Sequence, residues 1–268
     1  MHWLYDLPMP LLAAFLLALS ISYAVLAVLV VRRRRWRLSA EDTGTAAALH
    51  AFVGVLYAVA LGLLVVAAQG EYGEVEESVV SEANASGDLF RVMMGLEPAN
   101  RVRLQRQLAG YVNLVIEDEW PAAQHGEPSV PTLRAVDQLA DAVYTFRPTT
   151  PQEERVYPQL VGEMEEMLDA RRLRVFEGQQ GAGAVTWTIV LLGGLITIGF
   201  AAFFWMENTR AQLILTSLMA AVFGLMLTLL VAMDHPLWGS VAVDSGPLVQ
   251  LRSNWMQLHP EAVRHLQR

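Results

Sequence analysis

The stretch Ala46–Arg91, AAALHAFVGVLYAVALGLLVVAAQGEYGEVEESVVSEANASGDLFR, decides the fold. Its first part, Ala46–Ala68, is 23 residues without a formal charge. At about 1.5 Å per residue that length crosses a hydrocarbon core of about 30 Å, so it predicts a membrane-spanning helix. No proline or turn cluster interrupts residues 69–93. Tyr72, Val75, Val79, Ala83, Ser86, Phe90 and Met93 share one helical stripe, with Glu74, Glu77 and Asp88 opposite. The helix is therefore expected to leave the bilayer and continue as one wall of a soluble, acidic domain.

Working outward, three further apolar blocks can each span once: Leu11–Val31, Ala182–Met206 and Ala211–Met233. With 54% hydrophobic residues gathered into four blocks among 268 residues, the chain reads as an integral membrane protein. Cysteine is absent, which removes disulfides, thiolate metal sites and cysteine nucleophiles. Lysine is absent too, so every cationic side chain other than histidine is arginine. The net charge of -8 conceals an asymmetry. Residues 71–180 hold 20 acidic groups against 10 arginines, a balance of -10 that leaves the remainder slightly basic. That balance argues against a nucleic-acid partner.

No positive n-region precedes the first apolar block, and Arg32, Arg33, Arg34, Arg35 and Arg37 come directly after it. That is the reverse of a cleaved signal peptide. Short arginine-rich loops stay in the cytoplasm, which places the 31–45 connection inside, together with Arg210. The expected location is the inner membrane, with the soluble domain and both termini extracytoplasmic.

The second span carries Ala47, Ala51, Gly54, Ala58 and Gly62 within a narrow arc, and the fourth carries Ser217, Ala220, Ala221, Gly224 and Thr228. The third offers Gly193, Gly194 and Gly199. Such faces admit another backbone at close range, either for tight bundling or to line a pore. His50, Gly54, Tyr57 and Leu61 form the candidate pore or gate row of the second span. The plainer reading of His50 is an interfacial histidine bonded to a neighbouring helix.

In the soluble stretch, Pro98 opens a helix whose face is Leu104, Leu108, Tyr111, Val112 and Val115, and Trp120 and Pro121 end it. A helix from Pro131 turns Leu133, Val136, Ala140 and Val143 inward, and another from about Pro158 turns Leu160, Met164, Met167, Leu168 and Val175 inward. With the end of the second-span helix these make a four-helix bundle. Glu76 and Glu82 on the first helix face Arg171, Arg172 and Arg174 on the last. They form either ion pairs fixing a neck or a charged vestibule in an oligomer. After the fourth span, Val241 and Val243 read as a short extended piece, and Pro247 opens a last amphipathic segment.

No span carries Asp, Glu or Arg at its centre, which disfavours pumps and ion-coupled transporters. The six histidines are scattered, and no Walker, Gly-x-Ser-x-Gly, HExxH or dinucleotide motif occurs. No enzymatic activity, cofactor or metal is expected. His259, Glu261 and His265 read as solvated tail, and Glu71, Glu74, Glu76 and Glu77 as a hydrated helix face.

Val55, Leu56, Tyr57, Ala58 and Val59, then Ser81, Glu82 and Ala83, then Leu89, Phe90 and Arg91 resemble the bestrophin-like domain-of-unknown-function family of bacterial membrane proteins. Arg171, Arg174 and Trp187 before and in the third span, and Asp234, Pro236 and Gly239 after the fourth, extend that resemblance over about residues 10–250. It implies an oligomeric channel for small anions with the second span as pore helix. Bestrophins differ in keeping their helical domain cytoplasmic and in having more aromatic residues at the constriction than Phe52 and Tyr57 supply. The expected architecture is an all-α membrane protein with four transmembrane helices in a 2+2 arrangement and an inserted four-helix soluble bundle. Its parts are 1–69, the first hairpin; 70–182, the acidic soluble domain; 183–233, the second hairpin; and 234–268, a membrane-proximal tail. The expected partners are the lipid bilayer, further copies in a homo-oligomer, and a small anion. The competing class is a sensory or scaffolding module whose outer bundle binds a ligand or partner.

Overall fold

The computed structural model describes residues 4, 5 and 7–263; His2 and His265 lie outside them. The chain is a multi-pass membrane protein built of helices, with no strand among the described residues. In order these are α1 (Met9–Arg34), α2 (Ala40–Val92), a 3-10 turn (Met93–Gly95), α3 (Pro98–Leu114), a π-helical segment (Val115–Glu119) and α4 (Trp120–Gln124). Then come α5 (Val130–Tyr144), α6 (Pro151–Gln179), α7 (Ala184–Ala201), α8 (Thr209–Asp234), a 3-10 turn (Gly239–Val241), α9 (Gly246–Leu258) and α10 (Pro260–Val263). Four of them, α1, α2, α7 and α8, are long and apolar enough to cross a membrane. The chain divides into two compact units, one of residues 1–70 with 181–235 and one of residues 71–180 with 236–268.

The membrane unit is organised by the α1–α8 pair. On α1, Leu12, Leu16, Ser20, Ala24 and Val28 recur every fourth residue and are buried. On α8, Gln212, Thr216, Ala220, Gly224 and Thr228 do the same. Steps of four keep one stripe in contact along both helices. At Gly224 a Cβ would stand 3.2 Å from both the Leu16 carbonyl oxygen and the Leu17 Cα, so any larger residue would need the α1 backbone to give by a few tenths of an ångström. Apolar burial supplies little drive between helices in lipid, and close packing of small residues supplies it instead. The hydroxyls of Thr216 and Thr228 donate to the carbonyls of Gln212 and Gly224 one turn back, so they are satisfied inside their own helix.

The α7 glycines serve a different end: each receives an aromatic side chain. The Tyr57 ring lies against Gly193, the Phe223 ring against Gly194 and the Tyr23 hydroxyl against Gly199. Tyr23 and Tyr57 also donate to the carbonyls of Leu195 (2.9 Å) and Val190 (2.7 Å).

The soluble unit has one continuous apolar core, including Val75, Val79, Leu89, Phe90, Leu104, Leu108, Tyr111, Val136, Leu160 and Met164. The C-terminal segment belongs to it. Trp255 of α9 stacks on Phe90 at 4.6 Å, Leu248 is fully buried, and Arg252 donates to Asn113 (2.9 Å). Three helix details differ from expectation. Leu133 is exposed on α5, because the buried stripe there runs through Thr132, Val136, Leu139 and Val143. Helix α6 starts at Pro151 instead of near Pro158, because Thr150 caps it by accepting from the Glu153 N–H and Pro151 suits the first helical position. Of the extended piece expected at Val241 and Val243, Val241 instead closes a 3-10 turn, residues 239–241, in which Gly239 has φ 69°.

Candidate functional site

Helix α2 presents three faces inside the membrane unit. His50, Tyr57 and Leu61 fall on the side that packs within the chain. The His50 ring stacks on Phe200 at 5.2 Å and 13°, Tyr57 binds Val190, and Leu61 is buried. The side chains of the expected pore row are thereby committed to α7 and its neighbours, because α7 glycines leave room for an aromatic ring there. Gly54 sits at the edge of that row. On the adjoining flank Ala47, Ala51, Ala58 and Gly62 are exposed, and a Cβ at Gly54 or Gly62 would meet nothing within 4 Å. The opposite side, with Phe52, Val59, Leu63 and Val66, is exposed as well. Only 6% of this span is buried within the chain, against 39% for α8.

The soluble unit holds a buried group of charges. Arg174, entirely buried, donates from Nε to Glu82 Oε2 (2.6 Å) and from Nη2 to Glu82 Oε1 (3.2 Å) and Glu119 Oε1 (2.7 Å). Arg171 grips the same Glu119 with two parallel bonds, Nη1 to Oε1 (2.7 Å) and Nη2 to Oε2 (2.6 Å). The Tyr111 hydroxyl donates to Glu82 and accepts from Arg171 Nη1 at 3.4 Å. The Trp120 ring lies under the Arg174 guanidinium at 4.9 Å, and its Nε1 donates to the Val243 carbonyl. Two guanidiniums meet two carboxylates, so the formal charge closes to zero.

Local structure explains how these groups reach the interior. Arg171 and Arg174 are three apart and share a face of α6, while Glu82 lies on the buried side of α2. Glu119 depends on the π-helical segment 115–119. Pro121 lacks an N–H and crowds the carbonyl four residues before it, which favours a wider turn just upstream. Burial by itself would raise the Glu119 pKa, but the Arg171 hydrogen bonds and the Arg174 charge outweigh it and hold the carboxylate below its ordinary range. Tyr111 is pushed well above the phenol range, first by burial and then by the Glu82 charge. For both arginines burial opposes the charged form, and the paired carboxylates more than compensate, so each stays cationic. Arg174 Nη1 is buried and makes no hydrogen bond among the described residues. A cavity of about 140 Å³ adjoins the group, lined in part by Glu119, Ser129, Arg171, Arg174 and Gln179.

Of the five charges expected to cluster, Glu82, Arg171 and Arg174 enter this group. Glu76 is exposed on α2, and Arg172 is exposed and pairs with Asp169 at 2.8 Å. The reason is helical phase, since positions 76 and 172 point away from the faces that carry 82, 171 and 174. Glu119 escapes a reading of the sequence, because Trp120 and Pro121 look like a helix end.

The remaining motif residues make local contacts. Asp234 accepts from the Tyr5 hydroxyl (2.6 Å) and the Ala182 N–H (2.7 Å), tying the chain before α1 and the start of the α7 segment to the end of α8. The Pro236 carbonyl accepts from the Val243 N–H at 2.7 Å. Trp187 packs against the Leu12–Leu227 cluster, and Arg91 pairs with Asp88 on the surface. No group of three His, Asp or Glu side chains arranged to hold a metal occurs among the described residues. His259 stands 3.8 Å from Glu261 and packs on Phe90.

A bundle of apolar helices joined to a helical domain with a buried ionic core defines a helical, multi-pass membrane protein. Residues 15–248 match the bestrophin-like domain, and the chain belongs to that family. Solved structures of a bacterial bestrophin homologue from Klebsiella pneumoniae share the fold. One phased on zinc has 13% identity and a TM-score of 0.67, covering 91% of this chain and 97% of that one. Two single-substitution variants have 12% identity, with TM-scores of 0.69 (91% and 98% covered) and 0.70 (92% and 97%). No curated protein matches.

Proposed function

We propose that this protein is a subunit of an oligomeric channel for small anions, in which the α2 helices of several copies surround the pore. The observation that carries the reading is the small-residue flank of α2, Ala47, Ala51, Ala58 and Gly62, which has no helix against it within the chain. A face built for close backbone approach and left open by its own fold suits the same face of a second copy. Family membership agrees with this reading. On it, the two hairpins form a 2+2 membrane domain, residues 70–182 form an inserted bundle, and residues 234–268 complete that bundle. The arginine loop favours a cytoplasmic 31–45 connection in an inner membrane, which would put the soluble domain and both termini outside. A reporter active only in the cytoplasm, fused within residues 124–129, is expected to stay silent; activity there would reverse the orientation.

The test of function is flux. Full-length protein in liposomes is expected to release chloride or iodide above the rate of empty vesicles and to run as an oligomer in detergent. Absence of flux together with a monomeric mass would end the proposal. A second reading, a sensory or scaffolding module, draws on the uninterrupted run of α2 from Ala40 to Val92. It predicts an oligomer or monomer without flux, and a partner that binds the soluble unit.

A further inference from the structure

We propose that the end of the membrane unit formed by the α1 C-terminus and the α7–α8 connection is a binding site for the phosphodiester of an anionic phospholipid, centred on Arg32, Arg37 and Trp205. The guanidiniums of both arginines lie over the same indole, at 4.5 Å for Arg32 and 3.8 Å for Arg37. Each contact is favourable alone through the quadrupole of the ring. Together they hold two like charges on one small platform, which an anion between or beside them would relieve.

The platform is firmly built on one side. Arg32 Nη2 donates to the Met206 carbonyl (2.6 Å), and Nε and Nη2 donate to Gln212 Oε1 (2.9 and 2.6 Å). Gln212 is itself buried and donates to the Ala202 carbonyl at 3.0 Å, so the amide that orients Arg32 is fixed. Among the described residues Arg32 Nη1 is uncommitted, and Arg37 makes no hydrogen bond or ion pair. Arg33, Arg34 and Arg35 are exposed beside them. No carboxylate among the described residues pairs with any of these five arginines, although Glu41, Asp42 and Glu207 are close in sequence. Arg171 and Arg174, by contrast, are each neutralised by carboxylates, which leaves no charge there for an external anion to meet.

The choice of a lipid over free phosphate rests on the apolar rim. Trp36 stacks parallel on Phe203 (6.1 Å, 3°) and is 52% exposed, next in sequence to Arg37 and at the end of a span. Tryptophan at such a level favours the headgroup boundary, and arginine clusters beside a span attract anionic headgroups. An amphipathic ligand uses both surfaces, with planar guanidinium donors on its phosphodiester oxygens and the ring pair beside its glycerol and upper acyl chains. Free phosphate would use only the first.

The test is native mass spectrometry of the detergent-purified, delipidated full chain, titrated separately with dioleoyl phosphatidylglycerol and dioleoyl phosphatidylcholine. Phosphatidylglycerol is expected to bind the more tightly. Arg37→Gln should reduce that preference about fivefold, the weight of one arginine near an anionic headgroup. Trp205→Phe, which keeps the charge and most of the packing, should reduce it about two- to threefold. Arg210→Gln, an exposed arginine outside the platform, should leave it unchanged. Equal binding of the two lipids would overturn the proposal. So would an unaltered preference in Arg37→Gln and Trp205→Phe, an Arg210→Gln loss matching that of Arg37→Gln, or displacement of the lipid by millimolar inorganic phosphate.

Discussion

The two units solve the same problem, fixing helices against one another, with opposite chemistry. In the membrane unit the decisive contacts involve almost no charge: Gly224 against the α1 backbone, and aromatic side chains on Gly193, Gly194 and Gly199. In the soluble unit a fully buried Arg174 binds two carboxylates in the middle of an apolar core. The difference arises from the solvent of each. Lipid gives little apolar drive and penalises charge, so specificity comes from shape. Water gives ample apolar drive, and a closed ionic group can then select one arrangement of α2, α3 and α6 among several apolar ones, which removal of one partner tests.

The largest expected effect lies there. Arg174→Met leaves Glu82 and part of Glu119 as unpaired buried charge, and breaking such a group typically costs about 3–5 kcal/mol. Thermal unfolding of the full chain in detergent should show a large loss. The double change Arg174→Met, Glu82→Leu should recover part of it, because it removes the orphaned carboxylate and leaves Arg171 and Glu119 as a balanced pair. If the double variant is no better than the single one, the cost comes from lost packing and not from unpaired charge. Next is Gly224→Val in the membrane unit, where added atoms must push the α1 backbone away. Overpacking of this kind costs about 1–3 kcal/mol. Gly62→Val, in open space, should leave the purified monomer's stability unchanged while weakening any oligomer that uses the α2 flank.

These two regions are unequally legible in the sequence. The spans declare themselves through length and absence of charge, and the small-residue faces through spacing; Gly224 and Gly194 are where helix and ring do come close. The partners of those faces are not legible, because spacing says that something approaches and not what. His50 and Tyr57 read as a row on one side of α2, yet only the structure shows that α7 rings and carbonyls occupy that side. In the soluble unit, the sequence groups Glu82, Arg171 and Arg174 with Glu76 and Arg172, and does not tell the enclosed three from the exposed two. Glu119 is hidden, since an ideal 3.6-residue period does not carry through the π-helical turn that brings it inside. The useful signal is Pro121, which reads as a stop when it acts as the cause of a wider turn.

A smaller effect concerns another enclosed carboxylate of the soluble unit. Glu153 accepts from the Thr149 N–H (2.9 Å), the Glu97 N–H (3.1 Å), the Asn100 amide (3.2 Å) and the Thr149 hydroxyl (3.0 Å). The Thr149 N–H leads in lowering its pKa from the ordinary 4.5 to about 2, with burial opposing and the other donors assisting. A carboxyl depressed on folding stabilises fully above its unfolded pKa and loses that contribution as pH falls through the folded one. Glu153→Gln should therefore melt below the parent protein at pH 6, and the gap should narrow between about pH 4.5 and pH 2. A gap independent of pH would mean that the side chain acts through shape alone.

The smallest effect tests the membrane side of the comparison most directly. Tyr57→Phe removes one hydroxyl that donates to the Val190 carbonyl at 2.7 Å and keeps the ring against Gly193. Hydrogen bonds between membrane helices are worth about 0.6 kcal/mol on average, because the separated helices find other partners. Tyr57→Leu removes the ring as well and opens the Gly193 notch. If shape governs this unit, the leucine variant should lose several times the stability lost by the phenylalanine variant in detergent unfolding. Equal losses would mean that the hydroxyl, and not the ring in its glycine notch, holds α2 to α7.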